Sequence, residues 1–183
     1  MPYPVDMTVR PDVSGHFDPA TNTISYIVRD SASDHCAIVD SVMDIDYAAG
    51  RITYDHADAL IAEIERRGLT LDWIIETHVH ADHLSAAPYI QQKLGGKIGI
   101  GAQIVTVQET FQRDGSQFDA LLEDGDTYQI GEMTAFALHT PGHTPACMTH
   151  VMGDAAFVGD TLFMPDGGSA RADFPGGDAG ALY

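Results

Sequence analysis

The stretch Thr77-His78-Val79-His80-Ala81-Asp82-His83 decides how this chain reads. It places three imidazoles and one carboxylate within six residues. Imidazole is the commonest protein ligand for metals, and a carboxylate offsets part of a divalent cation's charge. The stretch follows the apolar segment 71–75, which predicts a buried strand over 71–76. Side chains gathered in a tight loop at a strand's end can point at one locus or at two adjacent ones. A polar loop with exposed histidines is the plainer alternative, but this residue set matches the composition of a metal site.

Two later segments read the same way. Thr140-Pro141-Gly142-His143-Thr144-Pro145 follows a strand predicted over 134–138. Its Pro-Gly turn is rigid and can hold the His143 imidazole at a fixed aim. In Gly159-Asp160-Thr161-Leu162-Phe163, Asp160 sits just past the apolar run 155–158. Taken singly, His143 reads as a solvated loop histidine and Asp160 as a turn aspartate. Their order along the chain is what makes them ligand candidates. His139 reads as structural.

Composition bounds the partners. The 183 residues fit one domain with a sizeable core. Nine basic residues against 27 acidic ones leave a formal charge of −18. Nucleic acid and anionic membrane surfaces both demand cationic partners, so neither is expected. An anionic substrate needs a local cation, which draws attention to the few arginines. Cys36 and Cys147 make no disulfide framework, and both read as core residues with free thiols. The first residues lack a signal-peptide pattern and no apolar run reaches membrane length, so a cytoplasmic location is expected.

Strands are predicted at 23–28, 36–39, 71–76 and 97–100, and again at 127–130, 134–138, 147–151 and 155–158. Helices are predicted at 55–67 and 85–94. In the first, Ala57, Leu60, Ile61 and Ile64 share a face, Thr53 can cap the start and Gly68 can end it. The tail 166–181 is rich in Gly and Asp and shows no helical period. Strands, then helices, then strands point to a layered α/β (α+β) fold with ligands on strand-end loops.

The ordered set HxHxDH, then TPGHT with His143 60 residues after His83, then GDTLF with Asp160 17 residues after His143, resembles the metallo-β-lactamase superfamily. That resemblance implies an αββα sandwich with a metal site at one edge of its two sheets. It runs from about Thr23 to Asp173. The segment 168–179, together with ISYIVRD, AIVDSVMDID, THVHADHLSAAPYIQQKLG and HTPGHTPACMTH, is similar to persulfide (sulfur) dioxygenases and β-lactamase-hydrolase-like proteins. By that likeness one Fe(II) per chain is held by His78, His143 and Asp160, with open positions for substrate and O2. His80, Asp82 and His83 then orient ligands, hold water or move protons. In two-zinc relatives His78, His80 and His143 serve one metal, Asp82 and His83 the other, and Asp160 bridges. Zinc is the alternative metal, since the ligand types permit both.

Arg171 is the expected substrate residue, because a guanidinium can hold a glutathione carboxylate in paired hydrogen bonds. A salt bridge to Asp173 or Asp178 competes with that role. The implied reaction turns glutathione persulfide, O2 and water into glutathione and sulfite. Rival expectations are a glyoxalase II-like binuclear thioester hydrolase and a non-catalytic metal or persulfide sensor. A homo-oligomer is compatible with the sequence. Against the family pattern, the single domain 1–183 reads as incomplete at its C-terminus and near 109–112.

Overall fold

The computed structural model describes residues 5–108 and 114–183. The shortened stretch read near 109–112 lies outside the described residues. In chain order the first elements are β1 (Asp12–Asp18), β2 (Thr23–Arg29), β3 (His35–Val39), β4 (Val42–Asp46), β5 (Arg51–Thr53) and α1 (Asp55–Arg67). Then come β6 (Thr70–Ile75), β7 (Leu84–Ser85), α2 (Ala87–Leu94), β8 (Lys97–Gly101), α3 (Ile104–Gln108) and β9 (Ala120–Leu122). The last are β10 (Thr127–Ile130), β11 (Met133–His139), β12 (Met148–Met152), β13 (Ala155–Phe157) and α4 (Ala179–Leu182).

A six-stranded sheet has the order β1-β2-β3-β6-β8-β9, and a four-stranded sheet the order β10-β11-β12-β13. A small third sheet joins β5, β4 and β7. β3, β6 and β8 are parallel, and the connections between them carry α1 and α2. Buried residues fall into two principal layers. Ile27, Ile38 and Ile74 meet Leu60, Ile64 and Ile90 of the helices on one face of the large sheet. Val28, Ala37, Val39 and Ile75 meet Ile130, Ala135, Met148 and Met152 between the sheets. The described residues therefore supply the helix layer and both sheets of the expected sandwich.

Helix α1 matches its expected bounds, and Gly68 ends it at φ 65° with its N–H on the Glu65 and Ile64 carbonyls. The expected Thr53 cap is not formed. Tyr54 occupies the cap position without a side-chain bond, and Asp44 of β4 instead accepts the His56 N–H at 3.0 Å. The cap comes from a neighbouring strand, which local sequence cannot reveal. Helix α2 begins at Ala87 rather than residue 85, because Ser85 pairs with Val42 as part of β7. β1 has a polar pattern and carries Gly15, which hide its strand character locally, yet it pairs along its full length with β2. A short α4 stands in the tail, where Asp178 caps it through the Gly180 and Ala181 N–H groups.

One histidine belongs to this core rather than to the site. His150 on β12 is fully buried and shares a 3.0 Å hydrogen bond with the Tyr128 hydroxyl. Burial pushes its imidazole down to about 4. A group depressed this way stabilises the fold above its unfolded value near 6.5 and loses that contribution as pH falls toward 4. Lowering pH from 7 to 5 should therefore cost about 2 kcal/mol through His150 alone. Urea unfolding at both pH values checks this. The loss should be smaller in His150→Gln by about that amount, and an equal loss in both proteins would contradict the assignment.

Candidate metal centre

The parallel arrangement of β3 and β6 builds the site. Val39 and Ile75 are register partners, so the residues leaving both strands emerge side by side. From β3 comes Asp40, buried and held at φ 52°, a conformation aspartate tolerates better than most side chains. From β6 come Glu76, Thr77 and His78, all buried. The Asp40 carboxylate accepts the Thr77 N–H at 2.7 Å and the Thr77 hydroxyl at 2.8 Å.

That second bond settles the orientation of His78. The Thr77 oxygen has one hydrogen, and a carboxylate can only accept it. The 3.0 Å contact between Thr77 Oγ1 and His78 Nδ1 is therefore donated by Nδ1–H. The Nε2 lone pair is left facing the site. His143 is prepared in the same sense, since its Nδ1 donates to the Arg171 carbonyl at 2.8 Å. This is the outer-shell bonding that fixes tautomer and ring direction in metal-binding histidines.

Asp160 completes the set from the far sheet, in the 3-10 turn Gly159–Thr161 that follows β13. Gly159 has φ 51°, and a Cβ there would collide with the Thr77 side chain. Glycine at 159 lets the turn press against the His78 loop. Asp160 Oδ2 then lies 3.4 Å from His143 Nε2 and 3.9 Å from His78 Nε2. One ligand atom from each of the three lies within 4.8 Å of the others. Metal–ligand bonds of about 2.0–2.2 Å place neighbouring ligand atoms roughly 3–4 Å apart, so the triad fits one ion.

His80, Asp82 and His83 form a second group of the same compactness. His83 is buried, its Nδ1 donates to the Leu84 carbonyl at 3.2 Å, and its Nε2 has no hydrogen-bond partner among the described residues. A buried, unpartnered imidazole nitrogen beside a carboxylate fits a second ion. His80 Nε2 sits 3.3 Å from Asp40 Oδ1 and 3.2 Å from Glu76 Oε2.

Charge follows from these contacts. Burial and the neighbouring His80 push His78 down to about 3, so its Nε2 stays available near neutral pH. Burial would also depress His80, but the Asp40 and Glu76 carboxylates outweigh it and hold the imidazole well above its ordinary value. Burial opposes ionisation of Asp40, yet its bonds to His80 and Thr77 hold it down to about 2. Burial raises Asp160 above the usual carboxylate range.

The structure thus brings His78, His143 and Asp160 together and sets His80, Asp82 and His83 beside them. Arg171 contributes its carbonyl to His143, while its guanidinium pairs with Asp173 through Nε at 2.6 Å, in the salt bridge that competed with the substrate role. His139 is structural, donating from Nε2 to the Pro145 carbonyl at 2.7 Å. Cys36 and Cys147 are free and buried, and burial raises both thiols. Sequence reasoning missed Asp40, Glu76 and Thr77. For Asp40 a signal existed, since it follows the apolar run 37–39 just as Asp160 follows 155–158.

Comparison with known proteins shows the family. A family model described as the metallo-beta-lactamase superfamily matches residues 19–183. A probable metallo-hydrolase of Burkholderia pseudomallei is 53% identical, covering 93% of this chain and 65% of the relative. The human mitochondrial persulfide dioxygenase ETHE1 is 31% identical, covering 91% of this chain and 58% of the relative. A solved structure of ETHE1 from Myxococcus xanthus superposes with a TM-score of 0.76 at 26% identity, covering 94% of this chain and 66% of that one. The chain thus spans less than two thirds of the length of these two curated relatives. Most members of the matched family are metal-dependent enzymes. The chain belongs to the metallo-beta-lactamase superfamily, with persulfide dioxygenases among its relatives.

Proposed function

We propose that this chain carries the metal site of a non-haem iron persulfide dioxygenase, converting glutathione persulfide, O2 and water to glutathione and sulfite. The observation that carries the reading is the triad itself. Two histidines with locked tautomers and one carboxylate form the ligand set of non-haem Fe(II) oxygenases, which leaves positions open. The relatives named persulfide dioxygenase add support. Bound there, Fe(II) supplies the redox chemistry and the open positions where persulfide sulfur and O2 can meet.

The protein's own residues do the positioning. Thr77 and the Arg171 carbonyl aim the two imidazoles. Asp160, more exposed than either histidine, marks the solvent side from which a substrate can enter. The Arg171 guanidinium is well exposed, and its pair with Asp173 is a surface salt bridge that solvent screens. Exchanging Asp173 for a glutathione carboxylate therefore costs little. Replacing Arg171 by Ala should raise KM about tenfold with kcat nearly unchanged, as expected for uniform binding. A fall in kcat alone would remove Arg171 from substrate binding.

The direct test is O2 uptake by full-length, iron-loaded protein on addition of glutathione persulfide, with sulfite measured alongside. Uptake with sulfite formation supports the dioxygenase. A folded, iron-replete sample that consumes no O2 rejects it and leaves a binding-only module or a hydrolase. A hydrolase with two metals is the second reading, favoured by the unpartnered His83 Nε2 beside Asp82 and by the metallo-hydrolase name of one relative. Metal analysis separates the two, since two ions per chain would favour hydrolysis through a metal-activated water.

A further inference from the structure

We infer that Glu76 is a positioning residue that keeps His80 away from the His78–His143–Asp160 triad, so that the triad's metal retains its open positions. The inference rests on the reading of that triad as an open metal site.

Glu76 leaves β6 into the buried space behind the ligands. Its Oε1 accepts hydrogen bonds from the Ser85 hydroxyl at 2.7 Å and the Ser41 hydroxyl at 3.3 Å. Those two bonds place Oε2 3.2 Å from His80 Nε2 as a buried ion pair, and Oε2 accepts no hydrogen bond among the described residues. Asp40 Oδ1 approaches the same nitrogen at 3.3 Å. Carboxylates only accept, so Nε2 carries a hydrogen, which Asp40 accepts while Glu76 Oε2 faces it as a second negative charge. A buried carboxylate left without such a partner is costly, and this holds the ring in place.

The consequence is an allocation of imidazoles. The His80 ring stacks on His83 at 4.1 Å and 26°, and its ligand atoms group with Asp82 and His83. It is absent from the first triad although its ring centroid lies only 4.2 Å from that of His78. Asp40 Oδ1 holds His80 Nε2 at 3.3 Å while also accepting the Thr77 N–H, and Glu76 adds a second carboxylate on that side. With Glu76 removed, His80 Nε2 keeps the 3.3 Å bond to Asp40 but loses its second carboxylate, and the ring can turn toward the adjacent metal and become a fourth protein ligand.

The test counts imidazoles at the metal. Full-length protein carrying one equivalent of Cu(II) is examined by pulsed EPR, as wild type, Glu76→Ala and Glu76→Asp, with circular dichroism as the folding control. Two coordinated imidazoles in the wild type and three in Glu76→Ala are expected. Glu76→Asp keeps the charge but draws it back by one methylene, and should give a mixture of the two. It carries the test if Glu76→Ala does not fold. Two imidazoles in the wild type and in every folded variant would overturn the role of Glu76 and leave the triad standing. Three in the wild type would overturn the open triad as well.

Discussion

Replacing His143 by Ala is expected to leave a folded protein that no longer retains its metal after gel filtration. His143 supplies one of three ligand atoms held within 4.8 Å of one another, and two protein ligands bind an ion far more weakly than three. Turnover should fall by more than about a thousandfold, since a bound metal supplies several kcal/mol of barrier lowering. His78→Ala and Asp160→Ala should behave alike. Metal content by elemental analysis, measured beside activity, checks this. Full metal occupancy in any of the three variants would remove that residue from the ligand set. The fold should survive because the ligands stand on loops past the strand ends, outside both principal apolar layers.

The second large effect is on stability. Asp40 is a buried carboxylate holding Thr77 through two bonds and His80 through a third. Replacing it by Ala leaves the Thr77 N–H unpartnered and takes away one of the two carboxylates beside His80. Breaking a buried charge pair from one side costs about 3–5 kcal/mol. Urea unfolding of metal-free Asp40→Ala should show a loss of that order. Asp40→Asn should lose less, because asparagine tolerates the left-handed backbone at this position and keeps an acceptor for Thr77. A loss below about 1 kcal/mol in Asp40→Ala would contradict the role given to it.

The acid response carries the same signature. A carboxyl depressed to about 2 stabilises the fold above its unfolded value near 4 and loses that contribution as pH falls toward 2. The contribution is on the order of 2 kcal/mol, and it disappears in Asp40→Asn. His80 works in the opposite direction. Its raised value stabilises the fold below its unfolded value near 6.5, and that contribution is lost only as pH rises through the folded value.

The local sequence carried a good deal of this. Apolar runs marked β2, β3, β6 and the strands of the second sheet, and the spacing of Ala57, Leu60, Ile61 and Ile64 marked the buried face of α1. The histidine-rich loop announced a metal because its residue types, side by side, have little other use. These are properties of short segments, where propensity and ligand chemistry need no long-range partner.

What only the tertiary structure decided is how the ligands are divided and held. His78 and His80 are two residues apart and chemically alike. One is aimed at Asp160 by Thr77, the other is held on Asp40 and Glu76. Thirty-seven residues separate Asp40 from Thr77, and they meet because β3 and β6 run parallel in register. The carbonyl that fixes His143 belongs to Arg171, chosen from the sequence for its charge, yet any residue type carries a carbonyl. Hydrogen bonds between distant segments and to main-chain atoms leave no mark on side-chain identity. That is why the candidate ligands could be named from the sequence and their aim could not.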